Sequence, residues 1–403
     1  MTAAPPIHRP RERLAPELWV LIGSAFLIAI GFGLVAPVLP QFAKSFDVGI
    51  AAASAIVSVF ALVRLAFAPA GGALINRFGE RRTYLAGLGV VVFSSVLCGI
   101  AWDYPSLLLF RGIGGIGSVM FTVSSMGLLV RLAPPEQRGR TSSLYGSSFL
   151  VGNIAGPIVG SALSGLGLRM PFFIYAVLVG IALVVVMVFM RRDPAVTSDG
   201  GGQRPRMTLA EALASSGYKP LLLTGAATGW ANFGVRVALL PLMAAAVPTI
   251  GVAAAGIALT LFAAGNALAQ QFTGRLTDKL GRVPLLVFGL LFSAAATLPF
   301  GWSTTLVAFL GLSAVAGIGA AFVVPASQAL LADIIGNDRI GGQALSTYSM
   351  AQDLGTIAGT LLAGVVAQVF GFGWAFASTG AVLLMAALPW CLRGRGLSRP
   401  SAG

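Results

Sequence analysis

Four charged residues stand inside long apolar runs of this chain: Arg64, Arg111, Arg236 and Asp353. In hydrocarbon each would cost about 2.5–3.5 kcal/mol on insertion scales, so each needs a partner or a water-filled path. An arginine so placed can pair with a carboxylate or hold an anionic or carbonyl group. A carboxylate beside a cation stays ionised; parted from it in a dry site, it takes a proton. Ion pairing, anion recognition and proton traffic are therefore the chemistry on offer.

Other chemistries lack their residues. His8 is the sole histidine and precedes the first apolar run, so no histidine relay or nucleophile–histidine arrangement can form in the membrane. Cys98 and Cys391 lie far apart in predicted helices and imply neither a disulfide nor a metal cluster. Residues 112–117 spell G-x-G-x-x-G, but inside an apolar run and without the strand and βαβ unit that a nucleotide fingerprint requires. No G-x-x-x-x-G-K-[ST] loop occurs. No cofactor, no metal and no enzyme activity is expected.

The elements that must hold these charges are membrane helices. The chain has 403 residues, 57% hydrophobic and 10% charged, with mean hydropathy +0.89. Soluble chains carry roughly 25% charge. Twelve stretches reach the length of about 20 apolar residues that a bilayer demands: 17–40, 48–73, 83–102, 105–131, 141–165, 170–190, 219–245, 249–274, 283–302, 304–334, 343–370 and 372–392. The chain thus divides into a tail (1–16), six spans (17–190), a polar linker (191–218), six more spans (219–392) and a second tail (393–403). Within the linker, Thr208–Leu213 reads either as a short amphipathic helix or as plain tether. The first run is too long for a signal-peptide core, so no cleavage is expected.

The net charge of +13 does not mark a nucleic-acid binder. Nearly all the Lys and Arg fall in the termini and even-numbered loops, and only Lys44 and Arg169 fall in the opposite loops. This positive-inside pattern puts both termini in the cytoplasm, and the even number of spans requires the same. A multi-pass protein of a bacterial cytoplasmic (inner) membrane is expected, acting as a monomer in the lipid bilayer.

One motif occurs twice. Gly72-Ala-Leu-Ile-Asn76-Arg77-Phe-Gly79-Glu-Arg81 is echoed by Gly274-Arg-Leu-Thr-Asp278-Lys-Leu-Gly281-Arg282, an offset of 202 (274 − 72). Gly115-Ile-Gly117 recurs as Gly317-Ile-Gly319 at the same offset, and Gly152/Gly156 as Gly355/Gly359 at 203. Repeated halves of this kind imply two six-helix bundles about a pseudo-twofold axis, the plan of transporters that rock around a central site.

These residues resemble the major facilitator superfamily over nearly the whole chain. The loop motif is similar to that family's Gly-x-Leu-x-Asp-Arg-x-Gly-Arg-Arg at Gly72, Leu74, Arg77, Gly79 and Arg81, and departs at Asn76 and Glu80. Arg111-x-x-x-Gly115-x-Gly117 resembles its fourth-helix motif. Gly152-x-x-x-Gly156-Pro157-x-x-Gly160-Ser161 resembles the fifth-helix signature of its twelve-helix drug–proton antiporters. The resemblance implies an all-α membrane protein of the major facilitator fold, alternating access and multidrug efflux, with antibiotic resistance as its consequence.

The resemblance also implies roles. Gly72, Asn76, Arg77, Gly79 and Arg81, with Gly274, Asp278, Gly281 and Arg282, would form cytoplasmic gates, Gly72 and Gly79 providing tight turns. Asn76 would face Gln343–Ser346, and Asn76→Asp is expected to favour the outward-facing state. Gly152, Gly156, Pro157 and Gly160 read either as tight packing or as a seam against the opposite half. Arg64 lies about eight residues, and Asp353 about ten, from the cytoplasmic ends of their predicted helices, a similar depth at 1.5 Å per residue. Helices two and eleven face each other in the family, so an Arg64–Asp353 pair across the halves is expected to couple protons; a static pair with Arg236 is the alternative. Phe26, Phe32, Arg111, Phe121, Trp230, Asn232, Phe233, Arg236, Phe322 and Gln328 are candidate substrate contacts, aromatic walls with few polar points. Asp47, Asp103 and Asp333 read as loop or cap residues. The expected activity is export of small amphipathic compounds in exchange for protons; the alternative is a facilitator or proton-coupled importer of a small organic anion or other metabolite.

Overall fold

The computed structural model describes residues 14–133, 138–190, 207–336 and 342–393. Among these described residues twelve long helices run back and forth: α1 (Pro16–Lys44), α2 (Ile50–Phe78), α3 (Glu80–Gly99), α4 (Tyr104–Leu132), α5 (Arg138–Ala162), α6 (Met170–Phe189), α7 (Tyr218–Ala246), α8 (Ala254–Leu280), α9 (Arg282–Thr297), α10 (Leu306–Ile335), α11 (Gly342–Phe370) and α12 (Phe372–Arg393). Ten of these segments are long and apolar enough to cross a bilayer. The other two, α5 and α8, are 25 and 27 residues long. A bilayer admits such a chain because each helix satisfies its own backbone polar groups.

Helix ends follow local chemistry. Asp103 caps α4: its carboxylate accepts the Ser106 N–H at 2.8 Å, and Ser106 Oγ accepts the Asp103 N–H at 3.2 Å. Hydrogen bonding from Ser106, its side chain first and its backbone N–H second, holds the Asp103 carboxyl below the usual carboxylate range. Helix α2 continues past the expected end at 73 to Phe78, and α8 past 274 to Leu280. Nothing in Ala73–Phe78 breaks a helix, and Arg77 in the last turn suits the negative end of the dipole. Gly72 and Gly274 are therefore helical rather than turns. The turns are Gly79 at φ +80° and Gly281 at φ +86°, a region that glycine enters without Cβ strain.

The same helix pairs form in each half. Helix α1 packs on α5 as α7 packs on α11, α2 on α4 as α8 on α10, and α3 on α4 as α9 on α10. Small residues set these approaches, as expected where no hydrophobic effect drives association. A Cβ on Gly152 would stand 2.8 Å from Phe26 O, and one on Gly156 2.5 Å from Ile30 O. A Cβ on Gly33 would stand 2.9 Å from Pro157 Cδ, and one on Gly160 2.7 Å from Leu34 O. The glycine face of α5 thus seats α1 of its own half, the tight-packing reading of these residues, and Gly160 also lies beside Val252 and Gly256 of the second half. Gly359 seats Trp230 of α7 in the same way.

Helix α7 is irregular. Gly229–Val235 winds as a π-helical stretch between two α-helical parts. A Cβ on Gly234 would stand 2.9 Å from Thr356 O, so the α11 backbone lies directly against the widened turn. The linker holds a six-residue helix, Leu209–Ala214, with a Thr208/Glu211 capping box. Its Leu209 N–H donates to Gln343 Oε1 at 2.9 Å, which ties it to the start of α11.

Candidate functional site

The halves meet along α2 on α11 and α5 on α8, and the end of α1 meets α7. Between them lies a cavity of about 190 Å³. Phe32, Ala36 and Leu39 of α1, Val57, Phe60, Ala61 and Arg64 of α2, and Arg111 of α4 form one wall. Phe233 and Val237 of α7 with Gln352, Asp353 and Thr356 of α11 form the other.

Arg64 Nη2 stands 3.7 Å from Asp353 Oδ2, so an ion pair joins the halves at the cavity wall. The side chains are 33% and 21% exposed. Arg64 Nε makes no hydrogen bond. Arg64 lies 14 residues from the end of α2 (78 − 64) and Asp353 11 from the start of α11 (353 − 342). The end of α2 is therefore farther away than expected and the start of α11 about as far as expected, and the ion pair itself puts the two residues at one depth.

Arg111 is 8% exposed and lies with its Cζ 4.2 Å from the Phe60 ring centre and 6.0 Å from that of Phe32. The ring faces are electron-rich and attract the cation. Its Nε has no partner, and no ion pair reaches it among the described residues. Arg236 is buried deeper, at 3%, against Phe262 (4.2 Å) and Phe300 (5.9 Å). Neither its Nε nor its Nη1 is hydrogen-bonded, and it is not a wall of the cavity. It does not take Asp353, so the alternative static pair is not formed.

The other expected contacts divide. Phe32, Phe233 and Arg111 line the cavity. Phe121 is buried edge-on against Tyr84, and Phe322 against Phe288. Trp230 donates to Thr379 Oγ1 at 3.2 Å inside its own half. Phe26 lines an apolar groove between α1 and α6 with Trp19 and Phe189. Asn232 is half-buried and Gln328 exposed, and neither is a cavity wall. Bulky aromatic type alone does not say which face of a helix a residue occupies. Sequence reading missed Phe60, Gln352 and Thr356; the offset of 202 separating Phe60 from Phe262 was the available signal for the first.

On the side away from the termini the cavity is sealed. Ser54 Oγ donates to Thr360 O at 3.0 Å, and Ser58 Oγ is hydrogen-bonded to Thr360 Oγ1. Farther out, the Ala51 N–H donates to Gln368 Oε1 (3.1 Å), and Gln41 Nε2 to Pro241 O (3.4 Å). Thr260 Oγ1 donates to Ile154 O (3.4 Å) on the α5–α8 seam. Ser54 and Thr360 are wholly buried, and their hydroxyls would be costly to leave unpaired there.

On the terminal side, Arg81 bonds the chain end of a neighbouring helix. Its Nε donates to Met190 O (3.0 Å) and its Nη2 to Met187 O (2.9 Å), closing the end of α6 in its own half. Arg77 is exposed and lies over Phe78. Glu80 pairs with Arg131, and Arg282 with Asp333. Arg282 also donates to Ala329 O at 2.8 Å. The side chains of Asn76 and Asp278 lie outside the described residues, as does Gly274 beyond its helical backbone.

Among the described residues, twelve long helices in two similar halves around a central cavity define a multi-pass membrane protein. The chain belongs to the Major Facilitator Superfamily, whose sequence pattern matches residues 21–248 and again 221–402. Over 188 residues it is 28% identical to the quinolone resistance protein NorA of Staphylococcus aureus, covering 47% of this chain and 48% of that one. Over 174 residues it is 25% identical to multidrug resistance protein 2 of Bacillus subtilis, covering 43% of each. The chain spans about half the length of the curated relatives it matches. In fold it is similar to a bacterial homologue of the human lysosomal transporter Spinster, solved inward-facing and unoccupied (TM-score 0.79, 18% identity, 94% and 96% of the chains). It is also similar to the human organic anion transporter MFSD10 (TM-score 0.67, 19% identity, 93% and 100%).

Proposed function

We propose that this protein exports small amphipathic, drug-like compounds by alternating access in exchange for protons, with both termini in the cytoplasm. The Arg64–Asp353 pair at 3.7 Å across the halves carries the reading. With the terminal side cytoplasmic, the Ser54–Thr360 contacts close the outer face. When the halves rock, the pair parts, Asp353 takes a proton, and the proton is released when Arg64 returns. Each charge moved across 100 mV supplies about 2.3 kcal/mol. The names of the two bacterial relatives support drug export as the direction. Asn76, Arg77, Gly79 and Arg81, with Gly281 and Arg282 in the second half, form the hinged inner rim in this reading.

Purified protein in liposomes with an imposed pH gradient, challenged with fluorescent dyes and antibiotics, tests it. Wild type should concentrate substrate against its gradient. Asp353→Asn should lose that uphill transport and keep downhill exchange. Uphill transport at the wild-type rate in this variant would end the proposal.

A second reading, proton-coupled import of an organic anion, is favoured by one observation, the unpaired Arg111 on the cavity wall. Uptake compared between inverted and right-side-out vesicles separates the two directions.

A further inference from the structure

We infer that Arg111 is the anion-recognition group of the cavity, and that the substrates are aromatic amphiphiles bearing one carboxylate. The inference rests on the reading of this cavity as the substrate site, and deepens it from amphipathic compounds in general to one charge class.

Three observations carry it. First, the cavity wall holds Arg64 and Arg111 against a single carboxylate, Asp353. Arg64 and Asp353 neutralise each other, and one positive charge remains. A ligand with one negative charge leaves the cavity neutral; a lipophilic cation would raise the imbalance, and a dianion would reverse it. Second, Arg111 is more than nine-tenths buried and lines the cavity, yet its Nε has no hydrogen-bond partner. A buried charged donor left unpaired is costly, so a bound acceptor gains more here than at a surface. The planar guanidinium fork fits a planar carboxylate at two points. Third, Phe60 and Phe32 flank the guanidinium, and Phe233 closes the facing wall. A ring attached to the carboxylate therefore meets apolar and aromatic surface. The volume of about 190 Å³ suits a one- or two-ring body, since a cavity of roughly 150 Å³ admits benzene.

The test uses full-length protein in lipid nanodiscs and two probes of matched shape, naphthalene-2-carboxylate and naphthalene-2-methanol. Binding is measured calorimetrically with empty nanodiscs subtracted and no pH gradient. The acid should bind about tenfold or more tighter than the alcohol. Arg111→Gln should bring that ratio to about one, and Arg111→Lys should give an intermediate ratio, because a point charge replaces the fork. Equal binding of the two probes by wild type would overturn the inference. So would an unchanged ratio in either variant, and the lysine variant carries the test if the glutamine variant does not fold. No gradient enters the measurement, so failure of proton-driven export in the liposome experiment leaves this result independent.

Discussion

The two halves hold a guanidinium in the same place by different means. Phe60 and Phe262 are equivalent (60 + 202 = 262), and each ring carries an arginine Cζ at 4.2 Å. In the first half the arginine arrives from α4 and stands on the cavity wall. In the second it arrives from α7 and is packed inside its own half. The position equivalent to Arg111 is Ser313, whose hydroxyl donates to Ala258 O at 2.7 Å and closes off its polarity locally. The repeat thus keeps an aromatic seat for a cation, while the helix that fills the seat decides whether the charge stands on the cavity wall. In the proposed reading one half recognises substrate and the other is braced.

The largest effect tests what the halves share. Gly156 and Gly359 each seat the first helix of their half, with a Cβ landing 2.5 Å from Ile30 O and 2.8 Å from Trp230 Cα. Gly156→Val and Gly359→Val should each lower the melting temperature steeply, since backbone cannot yield as a side chain can, and overpacking costs about 1–3 kcal/mol or more. Gly180→Val, where a Cβ meets nothing within 4 Å, is the control. A normal melt for either seam variant would remove the shared-packing account.

Arg111→Met and Arg236→Met separate the halves. The first should cost about tenfold in naphthalene-2-carboxylate affinity, the loss of a charge-assisted contact. The second should change that affinity less than about twofold. Its stability should stay within about 2 kcal/mol of wild type, because an apolar side chain replaces an unpaired buried charge and gives up two ring contacts. Equal losses of affinity in the two variants would erase the division of labour.

A smaller effect is expected at the outer seam. Thr360→Val removes the Ser58 Oγ–Thr360 Oγ1 bond while Ser58 Oγ still reaches Ile357 O at 3.5 Å, and should cost the sealed state about 0.5–1.5 kcal/mol. A cysteine placed at Ala51, with Cys98 and Cys391 replaced, should then be labelled faster from outside. Unaltered labelling would mean that the hydroxyls do not hold the seal.

The fold was legible because it is written in long-range regularities: twelve apolar runs, the side on which the arginines lie, and the offset of 202. The Arg64–Asp353 contact was legible because an ion in a membrane helix needs a partner, the two depths are similar, and the family resemblance implies that helices two and eleven face each other. The walls of the cavity were not. Phe121 and Phe322 are as aromatic as Phe32 and Phe233 but turn toward α3 and α9. The π-helical stretch of α7, which rotates Phe233 relative to Trp230, leaves no mark in composition. Nor does sequence say that Gly152, Gly156 and Gly160 meet α1, since close approach names no partner.

The smallest effect concerns a pair that the repeat copies with its signs reversed. Glu80 opens α3 and pairs with Arg131 near the end of α4; Arg282 opens α9 and pairs with Asp333 near the end of α10. The positions correspond (80 + 202 = 282; 131 + 202 = 333), and the acid and base have changed places. What the fold requires here is attraction between two helix ends, not a charge of given sign. Glu80→Arg or Arg131→Glu alone should destabilise the first half, by up to about 1 kcal/mol, because the pair is partly exposed and screened. The double substitution, which gives the first half the polarity of the second, should recover most of that loss, and the coupling is read from a double-mutant cycle of melting temperatures. Recovery would not be complete, because Glu80 lies at a helix start where a negative charge is favoured. Additive losses in the cycle would show that the two equivalent pairs arose without a common physical requirement.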